Sequence, residues 1–106
     1  MAYKKLVRDK IPDIIRKNGE KPITRILDDD EYKEELRHKV VEEAMELRNA
    51  KNRDETLKEL ADVSEAIIAL TKTYGFFPAD LEAEMHTRRL ERGGFEGRIY
   101  LEGVEK

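Results

Sequence analysis

Two stretches of helical periodicity, parted by the short polar linker NAKNRDE, leave this chain few ways to fold. From about Glu31 to Ala50, the apolar residues Leu36, Val40, Ala44 and Leu47 fall on one arc at about 100° per residue. From Asp54, a candidate cap, to Tyr74, Leu57, Leu60, Ala61, Ser64, Ile67, Ile68 and Thr71 form a continuous stripe. Val63, Ala66, Ala69 and Leu70 extend apolar character round most of its second half. A helix of that kind is central, with neighbours on several sides. The linker lies where a helix pair would reverse, so the two helices are expected to pack antiparallel.

Shorter elements flank this pair. Leu6, Val7, Ile11, Ile14 and Ile15 open the chain. Pro12 fits the first turn of a short helix that starts near Asp9 and ends at Asn18-Gly19. Pro22 to Leu27 is rich in β-branched residues and reads as a short strand. Asp28-Asp29-Asp30 then offers an N-cap. Gly75 is a helix stop, and Pro78 or Ala79 opens a further helix to about Arg92, with Leu81, Met85 and Leu90 as its buried side. Gly93-Gly94 breaks the chain, Arg98 to Leu101 is extended and a partner for Ile23 to Leu27, and Gly103 to Lys106 is a tail. The expected fold is all-α: an antiparallel helix bundle in one domain, residues 1–106, with short extended segments near residues 23–27 and 98–101. The helix from Asp54 has more apolar faces than one chain supplies with partners, so a homodimer or homotetramer is expected to complete the bundle.

Within the long helices lie two pairs of acids, Glu43 and Glu46 in EEAMEL, and Glu59 and Asp62 in ELADV. Residues three apart share a helix face, so each pair can aim two carboxylates at one point. Four converging carboxylates repel one another unless a cation sits between them, and a hard divalent ion such as Mg²⁺ is the natural occupant. With 24 acidic residues in 106, about five acid-x-x-acid pairs arise by chance, so spacing alone is a weak signal. The position of Glu43 is stronger, because it falls inside the apolar arc between Val40 and Leu47, where an unpaired carboxylate is costly. Glu46 falls at the edge of that arc and Glu42 further round towards solvent.

Composition removes several classes. A net charge of −3 and the lack of a long basic run argue against a nucleic-acid binder. The chain has no cysteine, hence no disulfide, thiolate zinc site or cysteine nucleophile. MAYKKLVRDK lacks the apolar core of a signal peptide, and no apolar run approaches a membrane span. A soluble cytoplasmic protein without membrane contact is expected. No Walker-type loop is present.

The blocks EEAMEL and ELADV, the opening KLVRDKIPDII and the closing RGGFEGRIYL, in this order, resemble the MazG-like all-α nucleotide pyrophosphohydrolases, in particular small members related to phosphoribosyl-ATP pyrophosphohydrolase. Together these stretches cover most of the chain. The resemblance implies a single MazG-like domain that hydrolyses a nucleoside triphosphate, in this branch a noncanonical one, to the monophosphate and pyrophosphate in a pool-cleaning role. It implies Mg²⁺ as cofactor, with Mn²⁺ as the alternative ion, and Glu43, Glu46, Glu59 and Asp62 as metal ligands. Glu42 or Glu46 would orient or deprotonate the attacking water. Two alternatives stand beside this: hydrolysis of phosphoribosyl-ATP in histidine biosynthesis, and a non-catalytic helical assembly or regulatory module whose acids are merely solvated.

Phosphates would need holding beyond the metal. Lys5, Arg8, Lys10, Arg89, Arg92 and the backbone of Gly93 and Gly94 are the candidates. Gly93-Gly94 can equally be a plain helix stop, and Arg8 can pair with Asp9. Phe76, Phe77, Phe95 and Tyr100 read as packing residues before base-stacking ones, and His38 and His86 as surface or interface residues.

Overall fold

The computed structural model describes residues 4–106, and Met1 to Tyr3 lie outside the described residues. Helix α1 spans Ile11–Lys17, α2 Asp29–Arg48, α3 Arg53–Thr73 and α4 Pro78–Arg92, and no strand forms among the described residues. The fold is all-α. No helix among the described residues is long and apolar enough to cross a membrane.

Local chemistry sets the helix ends. Pro12 sits in the first turn of α1, where its missing N–H costs nothing. Lys10, not Asp9, is the N-cap there, and no side chain caps the helix. Gly19 takes φ +85° beyond the last turn, the left-handed conformation that glycine adopts without a Cβ clash. The Asp28 carboxylate accepts from the Glu31 N–H at 2.9 Å and starts α2 two residues earlier than periodicity implies. Asn52, not Asp54, caps α3: its side-chain oxygen accepts from the Glu55 N–H at 2.8 Å, while Glu55 reaches back to accept from the Lys51 N–H at 2.9 Å.

Helices α2 and α3 form the body of the molecule, an antiparallel hairpin turned by the short linker before Asn52. At its open end the Lys33 ammonium lies over the Tyr74 ring, and the Arg37 guanidinium donates a hydrogen bond to the Tyr74 hydroxyl. Among the described residues Leu36 and Ala66 are the buried apolar side chains, one on each helix of the hairpin. Helix α4 grazes α3 only, and α1 approaches none of the other helices. The radius of gyration is 18.0 Å, against about 13 Å for a compact chain of this length.

Two expectations change. The segments at 23–27 and 98–101 do not pair: Ile23 is 99% exposed, and Ile99 and Leu101 also stand in solvent. Two short segments without a third strand or a covering helix cannot offset their ordering entropy. On α4 only Leu81 of the expected buried side is half-buried: Leu90 lies about 180° round the helix from it, and Met85, on the same side one turn on, is exposed because α4 only grazes α3. On α3 the face turned to α2 is the arc through Glu59, Val63, Ala66 and Leu70; of the apolar stripe, Ile67, Ile68 and Thr71 are half-buried, while Leu57, Leu60, Ala61 and Ser64 are exposed.

The cap at Asn52 makes a checkable claim about the hairpin. Asn52→Ala is expected to cost about 1 kcal/mol and to lower the thermal midpoint by roughly 5 °C, read by circular dichroism.

Candidate metal centre

Near the turn of the hairpin, one carboxylate oxygen from each of Glu43, Glu59 and Asp62 lies within 4.8 Å of the others. All three residues are half-buried, and the Glu43 side chain is only 14% exposed. The geometry follows from two helical facts. Glu43 occupies the arc of α2 that faces α3, and Glu59 and Asp62 are one turn apart on α3. An antiparallel hairpin with a short turn puts these two levels opposite each other.

Glu46 does not join the three. It lies about 60° further round α2 than Glu43, away from α3, and is exposed. Its charge is still felt: loss of solvation, followed by the charges of Asp62, Glu43, Glu46 and Glu55, pushes the Glu59 carboxyl above its ordinary value.

Cations gather round the acids. Lys39 Nζ lies 3.5 Å from Glu43 Oε1 and 3.4 Å from Glu42 Oε2, and its side chain is 17% exposed. Lys5 Nζ is 3.5 Å from the other Glu42 oxygen. Arg8 donates to Asp62 Oδ1 at 2.7 Å, which replaces the expected pairing with Asp9. Two of the proposed phosphate-holding residues, Lys5 and Arg8, therefore stand at the carboxylates in the folded chain. Lys10 sits apart at the start of α1. Arg89 and Arg92 are exposed in the last turn of α4, and no ion pair among the described residues links them to the acids. Gly93 ends α4 at φ +82°, its N–H donating to Arg89 O at 2.7 Å, and Gly94 follows; both act as a helix stop.

Lys39 was not among the sequence candidates. Its signal was present, since it stands three residues before Glu42 and four before Glu43, the spacing of helical ion pairs. His38 lies beside Glu34 and Glu35 on the exposed side of α2, and His86 is exposed on α4. Phe76, Phe77, Phe95 and Tyr100 are exposed as well.

Three half-buried carboxylates with hard oxygen donors, one from α2 and two from α3, match the donor set of a hard divalent cation. Glu43, Glu59 and Asp62 would hold such an ion, with Glu46 next to them.

No family model matches the chain. An uncharacterized protein of Mycolicibacterium smegmatis is similar to it, 51% identical over 53 residues, which is 50% of this chain and 54% of that protein. The chain thus spans about half the length of this relative. No solved structure matches.

The crowding at Glu59 has a pH signature. A carboxyl that holds its proton more tightly in the folded chain stabilises the fold fully below the ordinary value of 4.5, and this contribution is lost as pH rises through the raised value. Glu31 acts oppositely: its hydrogen bond from Arg25 holds it below 4.5, so its contribution is present above that value and lost as pH falls. For the metal-free protein, the urea midpoint is expected to fall as pH is raised above 4.5 towards neutrality. Glu59→Gln should flatten that decline and raise the midpoint at pH 7, in equilibrium unfolding followed across pH.

Proposed function

We propose that this chain is a Mg²⁺-dependent nucleoside triphosphate pyrophosphohydrolase of the MazG-like kind, a cytoplasmic, self-associating enzyme that cleaves noncanonical nucleotides to monophosphate and pyrophosphate. The observation that carries the reading is the convergence of Glu43, Glu59 and Asp62 from two helices, with Glu43 inside the apolar seam. Carboxylates alone repel a polyphosphate. Mg²⁺, when bound, inverts the local charge and supplies coordinated water.

The side chains of this protein divide the remaining work. Lys5 and Arg8 form exposed ion pairs, which are weak, so both can turn from Glu42 and Asp62 to phosphate oxygens. In hydrolysis, a water oxygen bonds to the α-phosphorus, the bond from that phosphorus to the bridging oxygen breaks, and pyrophosphate leaves. The water proton needs an acceptor. Glu46, outside the three and exposed, is open to that role, whereas Glu42 keeps the enclosed Lys39 beside it.

One observation favours the rival reading of a non-catalytic helical module. Arg8 and Lys39 already pair with two of the three acids, so the cluster has partial neutralisation without any ion. Calorimetric titration separates the two. Mg²⁺ binding with a raised thermal midpoint supports the enzyme, and the absence of binding at millimolar Mg²⁺ sinks it.

Activity gives the second test. Pyrophosphate release should appear with Mg²⁺ across a panel of oxidised, deaminated and methylated triphosphates, with phosphoribosyl-ATP as the discriminating alternative. Glu43→Gln and Asp62→Asn should each lower turnover at least about a hundredfold with the helical spectrum unchanged. Full turnover in either variant removes that residue from the centre.

A further inference from the structure

The two cations paired with the converging acids differ in their freedom to leave. Arg8 donates to Asp62 Oδ1 at 2.7 Å, and its guanidinium is in no second ion pair among the described residues. Its side chain is 56% exposed and stands on the segment before α1, outside any helix. Lys39 sits midway along α2, and its side chain is 17% exposed. Its ammonium has two carboxylates to choose from, Glu43 Oε1 at 3.5 Å and Glu42 Oε2 at 3.4 Å. Glu42 is not one of the three converging acids.

These two cations already offset most of the charge of the three ionised carboxylates. A divalent ion that enters must therefore take Glu43 from Lys39 and Asp62 from Arg8. Lys39 gives up Glu43 and keeps Glu42. Arg8 gives up Asp62 and keeps nothing, so its guanidinium is left unpaired beside a newly bound cation. A polyphosphate changes that outcome, because its oxygens accept from both arms of a guanidinium fork.

We propose that Arg8 couples ion binding to polyphosphate binding at this centre: it competes with the free ion for Asp62, and it turns to the polyphosphate when one is present, leaving Asp62 to the ion. The inference rests on the reading of the centre as a Mg²⁺ and triphosphate site. Lys39 has the other part, a fixed counter-charge that Glu42 retains whether or not an ion is bound. Ion and polyphosphate then strengthen each other's binding beyond their attraction in solution, and by linkage each does so to the same extent. The free ion meets an acid already paired with a cation, whereas the ion that arrives with polyphosphate does not.

Calorimetric titration of the full chain tests this with two probes, Mg²⁺ alone and the Mg²⁺–pyrophosphate complex. Arg8→Gln should bind Mg²⁺ alone about threefold more tightly, the scale of an exposed ion pair withdrawn from competition. The same variant should bind the complex about tenfold more weakly, the scale of lost charge-assisted hydrogen bonds. Opposite signs are the signature, since loss of a merely structural contact weakens both. Arg8→Lys should return the affinity for Mg²⁺ alone to near the native value and recover only part of the affinity for the complex, because an ammonium competes at Asp62 but lacks the fork. Lys39→Gln should tighten both, because Lys39 has Glu42 to hold it and does not need the phosphate. Arg8→Gln that moves both affinities the same way or neither, or opposite signs in Lys39→Gln, would overturn the assignment while leaving the metal reading in place. A native chain that binds Mg²⁺ neither alone nor with pyrophosphate would overturn both.

Discussion

Holding Glu43, Glu59 and Asp62 within 4.8 Å of one another carries a standing electrostatic cost, and the hairpin is arranged around it. On the open side of the three, Leu36 and Ala66 lock α2 to α3 by apolar burial. On the turn side, the Asn52 cap and the Glu55 carboxylate tie the linker down through backbone N–H groups. The acids are thus bracketed by a core contact and a capped turn. Their separation is set by backbone and cannot relax by letting the helices drift apart without losing one of the two.

The same cost organises the N-terminal segment. Helix α1 packs against no other helix, yet Lys5 reaches Glu42 and Arg8 reaches Asp62. Charge pairs and the half-buried Leu6, Val7, Ile11 and Ile15 together hold this end of the chain. Such pairs between partly exposed groups are individually weak and fall with ionic strength. Anything that neutralises the carboxylates competes with them. The position of the N-terminal segment is therefore linked to the charge state of the cluster, and Lys39, the most enclosed cation there, is linked most tightly.

Much of this was legible in the sequence. The two long helices, their reversal and the depth of Glu43 all follow from periodicity, because an arc of Leu36, Val40 and Leu47 can face only one way. Convergence of Glu43 with Glu59 and Asp62 then needed only the antiparallel turn. Glu46 was read with the ligands because i, i+3 spacing says that two residues share a face, but not which of them faces the neighbour. Arg8 was beyond sequence reasoning, since its bond to Asp62 joins residues 54 apart in the chain. The strands at 23–27 and 98–101 failed for a different reason: β-propensity describes a fit to a pleated, half-buried surface, and this chain offers none.

The apolar surface of α3 is divided between two faces. Periodicity picks out the most continuous apolar stripe but does not say which neighbour it meets. In the folded chain, α2 instead takes the arc that includes Glu59, Val63 and Leu70, because the short linker fixes which side of α3 it can reach. The better stripe, from Leu57 through Ser64, is left outward. A helix that turns its poorer apolar face inward and its better one to solvent is hard to explain as the product of intrachain packing alone. It is readily explained if α3 answers to two neighbours: α2 on the side where the carboxylates must meet, and a second surface on the side where Leu57 and Leu60 stand bare. Charge and apolar surface are then divided between opposite faces of one helix.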